Sequence, residues 1–191
     1  FNNYVFVAGD QSLQHWLLPI RVPTPENNPQ SIDKINLGKM LFFDPRLSGD
    51  SNMSCATCHN PLLGWSDNLV VARGYKSQVL TRATPSIINA AYNNLQMWDG
   101  RMNSLEEQAL APMTAALEMH ADLTKKIALL NNINGYVIAF DKAFPGETIN
   151  KKTMAMAIAS FERTVISDNS NFDAWVKGDK SALSKSAEAI M

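Results

Sequence analysis

The stretch Cys55-Ala56-Thr57-Cys58-His59 constrains this chain more than any other. It reads CxxCH, the attachment signature of a c-type haem. Two thiols at that spacing reach the two vinyl groups of one porphyrin and form thioethers. The adjacent His59 then lies under the iron and supplies an imidazole nitrogen as proximal ligand and sole metal contact. Two other readings of the cysteines exist. A CxxC redox pair wants a βαβ context, and the pattern shows none. A zinc site wants a second ligand pair, and these are the only two cysteines.

Bulk properties exclude several partners. The 191 residues suit one domain with extra segments, and 46% hydrophobic residues suffice for a packed core. A net charge of −1 gives no reason to expect nucleic acid or an anionic membrane. No apolar run is long enough to predict a membrane span. Phe1-Asn2-Asn3-Tyr4 lacks a basic leader region, so the chain reads as already processed. Covalent haem attachment, from what is known of c-type cytochromes, implies export and a periplasmic location.

The pattern predicts an all-α chain, a cytochrome c-like haem domain with long loops and an extended N-terminal segment. Residues 1–30 are irregular, with four prolines and one apolar cluster, His15-Trp16-Leu17-Leu18, expected to dock on the body. The haem domain runs over 31–166. A helix is predicted from Asp33 to Phe43, with Ile35, Leu37, Met40 and Leu41 apolar, stopped by Asp44-Pro45. Residues 60–86 read as loop, and Ser86–Asn94 as a short helix. Ser104-Leu105-Glu106-Glu107 reads as a capping box opening a helix that Pro112 interrupts. Further helices are predicted at 121–131, at 135–144 with Val137, Ile138 and Phe140 inward, and at 153–166. Residues 167–191 read as a connection toward a further domain. They hold an amphipathic turn (Phe172, Trp175, Val176) and a helix begun at Ser184 and cut at Met191.

These residues carry a resemblance. Leu37-Gly38-Lys39-Met40-Leu41-Phe42-Phe43-Asp44-Pro45-Arg46-Leu47-Ser48, followed by the CxxCH motif, resembles the bacterial dihaem cytochrome c peroxidases and their MauG-type relatives. So do Arg82-Ala83-Thr84-Pro85-Ser86, Trp98-Asp99-Gly100-Arg101, Ser104 to Ala109 and Glu118-Met119. The match covers about residues 30–185, in order, and corresponds to the family's N-terminal, peroxidatic haem domain. The family's second haem domain is absent from these residues, so the expectation is either a piece of a longer chain or a one-haem relative, and the helix cut at Met191 favours the piece.

The resemblance implies roles. Glu118 matches the distal-pocket glutamate, a proton-transfer group for peroxide cleavage. Read alone, it is a solvated residue opening the helix near Ala121. Gln108 would hydrogen-bond a bound oxygen species, and Pro112 would shape the pocket wall. Trp98, otherwise a core aromatic, would relay electrons between haems. Arg101 would pair with a haem propionate or a carboxylate. His15 and His120 are candidate sixth ligands but read better as structural or solvated. Met113 and Met119 lie nearest the pocket and read better as core.

Two positions depart from the family pattern. The loop Ala72-Arg73-Gly74-Tyr75-Lys76 lacks the histidine that often blocks the resting iron. Ala83 stands where an asparagine commonly helps hold calcium between the domains, which weakens the calcium that the resemblance would otherwise imply. Both resemble the MauG-type relatives. The expected function is haem-dependent reduction of hydrogen peroxide, with electrons from a second haem or a small periplasmic donor, in a chain that the resemblance allows to be a homodimer. The alternatives are MauG-type oxidation of another substrate and a non-enzymatic electron-transfer cytochrome.

Overall fold

The computed structural model describes residues 5–19, 21–167 and 170–189. Among them are eight α-helices, short 3-10 turns and no strand beyond three isolated antiparallel bridges. The all-α expectation holds. None of these helices is long and apolar enough to cross a membrane.

The chain divides into two compact units, Pro23–Ile166 and the terminal segments Phe1–Val22 with Ser167–Met191. In the larger unit, α1 (Ile32–Phe43) packs on α6 (Lys151–Glu162), which also carries α3 (Leu105–Thr114). The helix α4 (Leu123–Asn131) and α5 (Asn134–Ala143) complete this core, while α2 (Cys55–Cys58) is the single turn holding the haem motif. Ser31, Asp122 and Asn150 cap α1, α4 and α6 by accepting from early backbone N–H groups.

The α1–α6 contact is close because Gly38 faces it. A Cβ at position 38 would collide with the Ala157 carbonyl and the Phe161 side chain. Every residue of α6 from Thr153 to Glu162 is buried. The helix stops at Glu162, four residues short of the predicted end, and Val165 caps the neighbouring loop by accepting from Asn89 N–H at 2.9 Å.

Other expectations shift. Residues 86–94 form no α-helix: Asn89 sits at φ 62° and leads into a 3-10 turn, Ala90–Tyr92. The helix α3 runs through Pro112 to Thr114 instead of breaking. The Ser104 hydroxyl accepts from Glu107 N–H, but the Glu107 carboxylate accepts from Asn103, so the capping box is displaced by one residue. On α5, Val137 and Ile138 are exposed and Tyr136, Phe140 and Ala143 are buried. The aromatic stripe wins because the Tyr136 hydroxyl also donates to Asp44 Oδ2 at 2.6 Å.

In the terminal unit, Leu13, Trp175 and Val176 form a small core. It joins a 3-10 turn, Gln11–Trp16, to α7 (Asn171–Val176), with Gln14 Nε2 donating to the Val176 carbonyl. Leu13 is the docking residue, while Trp16 and Leu18 are exposed. A final turn, α8 (Lys185–Glu188), supplies Glu188, which accepts from the Trp175 indole. Residues 190–191, part of the predicted last helix, lie outside the described residues.

Candidate haem site

A cavity of about 750 Å³ opens beside α2, within the size range of cofactor sites. Its helical wall comes from α3 and α6, through Leu105, Gln108, Ala109, Pro112, Ile158 and Glu162. Its loop wall comes from residues 72–101 and 115–119. The eight residues singled out from sequence, Cys55, Cys58, His59, Trp98, Arg101, Gln108, Pro112 and Glu118, all line it.

The approach to the motif is set by hydrogen bonds. Buried Ser48 accepts at its hydroxyl from the N–H groups of Asn52 and Met53 and donates to the Pro45 carbonyl. Thr57 Oγ1 accepts from Ser54 N–H, closing the turn that presents both cysteines. His59 Nδ1 lies 3.2 Å from the Trp65 carbonyl, which takes its proton and leaves Nε2 as the nitrogen able to ligate a metal. Burial lowers the His59 pKa, so the neutral, ligating form is favoured. Its ring also meets Phe42, the head of an aromatic cluster with Phe43, Trp65 and Phe161.

The two cysteines are free and line the same cavity. Burial pushes the Cys55 thiol up to about 12 and the Cys58 thiol up to about 11. A redox pair needs the opposite, a lowered thiol pKa. No group of three or more His, Cys, Asp or Glu gathers among the described residues, which leaves a zinc reading without ligands. Two unpaired thiols, a tethered imidazole and an apolar chamber fit a covalently bound haem.

The loop wall is built from backbone contacts. The three bridges, Asn60 to Ser66, Arg73 to Val79 and Gln96 to Met102, each pinch one short loop shut. Each loop turns back through left-handed residues: Trp65, Lys76 and Ser77, and Met97. Side chains there normally avoid positive φ, so tertiary contacts hold these turns.

Glu118 is placed the same way. The carbonyls at the end of α3 have no helical partners. Ala115 accepts from the N–H groups of Glu118 and His120, Pro112 from Met119, and Met113 from Ala121. Two outer contacts add to these. Gly49 N–H donates to the Met119 carbonyl at 2.8 Å, and Tyr75 N–H to the Leu117 carbonyl at 3.0 Å. Gly74 lets the two loop segments approach, since a Cβ there would collide with the Leu117 carbonyl. Burial raises the half-buried Glu118 carboxyl, and the Arg101 charge opposes it.

At the rim, Asp99 accepts from Arg101 at 2.8 Å and from Arg82 at 2.9 Å. Those two guanidinium groups, Arg101 first, hold its carboxyl down at about 2. Trp98 is 63% exposed and its indole N–H donates to the Ala83 carbonyl at 2.8 Å. Met113 and Met119 both belong to the core, and Met119 also lines the cavity. His120 is exposed, stacks on Tyr75 at 4.5 Å and does not line the cavity. Lys76 lies over the other aromatic partner, Tyr75, at 5.2 Å.

The cavity also takes in a buried acid, Glu162, that the sequence pattern does not mark as functional. Glu162, 3% exposed, accepts two hydrogen bonds from Gln108 Nε2, at 2.7 and 2.9 Å. Its signal was a carboxylate one helical turn beyond Ile158 on an otherwise apolar face.

Comparison with known proteins places this geometry. The family model for di-haem cytochrome c peroxidase matches residues 32–181. The chain belongs to the di-haem cytochrome c peroxidase family. Methylamine utilization protein MauG of Methylophilus methylotrophus is 44% identical over 170 residues, covering 89% of this chain and 51% of that protein. Cytochrome c551 peroxidase of Pseudomonas aeruginosa is 41% identical over 168 residues, covering 87% of this chain and 49% of that protein. A solved structure of a MauG-like protein associated with microbial copper homeostasis superposes with a TM-score of 0.77 at 33% identity, covering 86% of this chain and 50% of that one. The chain thus spans about half the length of the relatives it matches. Membership brings haem c as the cofactor class, in agreement with the thiols and imidazole described above.

Proposed function

We propose that this chain is the peroxidatic half of a periplasmic haem oxidoreductase that reduces hydrogen peroxide to water. The supporting observation is convergence: the Cys55–His59 signature, Glu118 and Gln108 face one largely apolar cavity. Cys55 and Cys58 would hold one haem by thioethers, and His59 would ligate its iron. Once bound, the haem would supply the redox chemistry.

The reaction consumes one peroxide, two protons and two electrons and yields two waters. Glu118 would handle protons. Burial raises its carboxyl, so it can take a proton at one oxygen and return it to the leaving hydroxyl. Gln108 would orient the bound oxygen species by hydrogen bonding, and Pro112 would shape the wall beside it. Arg101 would neutralise a propionate while tempering Glu118. Trp98, exposed at the rim, would pass electrons inward from a second haem domain or a small periplasmic donor. Ala83 offers calcium no side-chain oxygen, so no calcium is assigned to this half. Homodimerisation stays part of the same proposal.

A second reading, MauG-type oxidation of another substrate, draws support from the loop at 72–76. It contains no histidine; Tyr75 stacks on His120, Lys76 lies over the Tyr75 ring, and neither residue lines the cavity.

Stopped-flow mixing of the haem-loaded protein with peroxide tests the proposal. Removing a proton-transfer group costs about 10²–10⁴-fold. Glu118→Gln is expected to slow peroxide consumption by that factor at unchanged haem content. An unchanged rate would overturn the role of Glu118 and favour an electron carrier. Trp98→Phe is expected to leave peroxide cleavage intact and slow re-reduction when the second haem domain is present.

A further inference from the structure

The buried carboxyl of Glu162 has no task in the reading above. It sits at the end of α6, lines the cavity, and touches Gln108 with both oxygens. We infer that Glu162 is a positioning residue: its protonation state decides which end of the Gln108 amide faces the cavity.

The argument is one of donor and acceptor count. An ionised carboxylate can only accept. Both contacts at 2.7 and 2.9 Å therefore come from the amide nitrogen, and Gln108 Oε1 is the end left for the cavity. A protonated Glu162 has an O–H to donate, and its natural acceptor is that same Oε1. The amide then turns over and offers its N–H₂ to the cavity. One proton on Glu162 converts the neighbouring wall from acceptor to donor.

The surroundings put this proton within reach of ordinary pH. Burial is the main cause that raises the Glu162 carboxyl, to about 8. Gln108, by donating to the ionised form, and Arg163, the residue that caps α6, oppose it, and Glu106 on α3 adds to it. Arg163 is largely neutralised by Glu106, with Nη1 2.8 Å from Oε1 and Nη2 donating to Oε2. On α1, Lys34 acts on Glu106 and Glu147, and on α2 the Cys55 thiol feels the Glu162 charge. Glu118 and Asp99, on the loop wall, are the other carboxyls of the cavity; burial raises Glu118, while Arg101 and Arg82 hold Asp99 down at about 2.

The inference rests on the reading that this cavity holds the haem. The test adds carbon monoxide to the reduced, haem-loaded protein and follows the C–O stretching band, which falls in frequency when a donor points at the probe. The parent is expected to show a downward step as pH drops through about 8. Glu162→Gln and Gln108→Leu are each expected to lose that step at unchanged haem content, while Glu118→Gln keeps it. A band that ignores pH in the parent, or a step that survives in Glu162→Gln, overturns the proposal. Should Glu162→Gln fail to fold, a step surviving in Gln108→Leu overturns it equally. Failure of the proposed peroxidase chemistry reads differently: Glu118→Gln would leave the peroxide rate unchanged with this step still present.

Discussion

The two walls of the cavity are built on different principles. The helical wall is a core of interlocked side chains, with Leu37, Leu41, Phe42, Met154 and Ile158 buried around the Gly38 contact. The loop wall has few such anchors. Leu95, Leu117, Val79 and Trp98 are exposed there, and its shape depends on backbone hydrogen bonds and left-handed turns. Stability therefore resides in the first wall and the placement of Glu118 in the second. A chain organised this way can change its loops, and so its chemistry, without dismantling its core.

Substitutions can separate the two. Gly38→Ala drives a methyl group into the backbone of α6. Overpacking of this kind costs about 1–3 kcal/mol, and with a backbone carbonyl as the obstacle the upper end is expected. The check is a fall in the urea midpoint. Gly74→Ala places the same methyl against the Leu117 carbonyl in the loop wall. A shift of about 1 Å in a reacting group costs about 10²-fold in rate. Peroxide turnover should therefore fall by about that factor while the urea midpoint moves far less than for Gly38→Ala. Equal loss of stability in both variants would erase the distinction.

Tyr136→Phe removes the hydroxyl that donates to Asp44 at 2.6 Å. A hydrogen bond to a charged group is worth about 1.5–3 kcal/mol, and the loss should appear in the urea midpoint without altering peroxide chemistry. The pH dependence sharpens the same contrast. Burial raises the Asp44 carboxyl, but bonds from Arg46 and Tyr136 outweigh it and hold it below 3.8. Its contribution is present above that value and is lost as pH falls through the lowered pKa. Glu162 acts with the opposite sign, because its carboxyl is raised from 4.5 to about 8. The folded state keeps that proton while the unfolded state gives it up, so stability declines as pH rises across this window. Urea titrations between about pH 4.5 and 8 should show this decline vanish in Glu162→Gln. Smallest is Ser104→Ala, which deletes the acceptor for Glu107 N–H and should cost about 1 kcal/mol.

Much of this was legible in the chain itself. The helices at 32–43, 123–131 and 151–162 follow from apolar periodicity and capping residues, which are local. The helix α5 was legible in position but not in orientation. Val137 and Ile138 outrank Tyr136 in hydrophobicity, yet the bond to Asp44, 92 residues away, chose the face. Residues 86–94 misled for a similar reason: a distant acceptor, the Val165 carbonyl, holds Asn89 in a left-handed conformation.

The CxxCH spacing and the glycines at 38 and 74 are covalent facts, and they determine on their own where a haem can attach and where backbones can meet. The gathering of Cys55, Gln108, Glu118 and Glu162 around one cavity is not such a fact, because these groups come from four separate segments. Their closeness arises from packing and from carbonyls at the end of α3 that need partners. The raised carboxyls follow from the same burial, which exists only once the fold has excluded water.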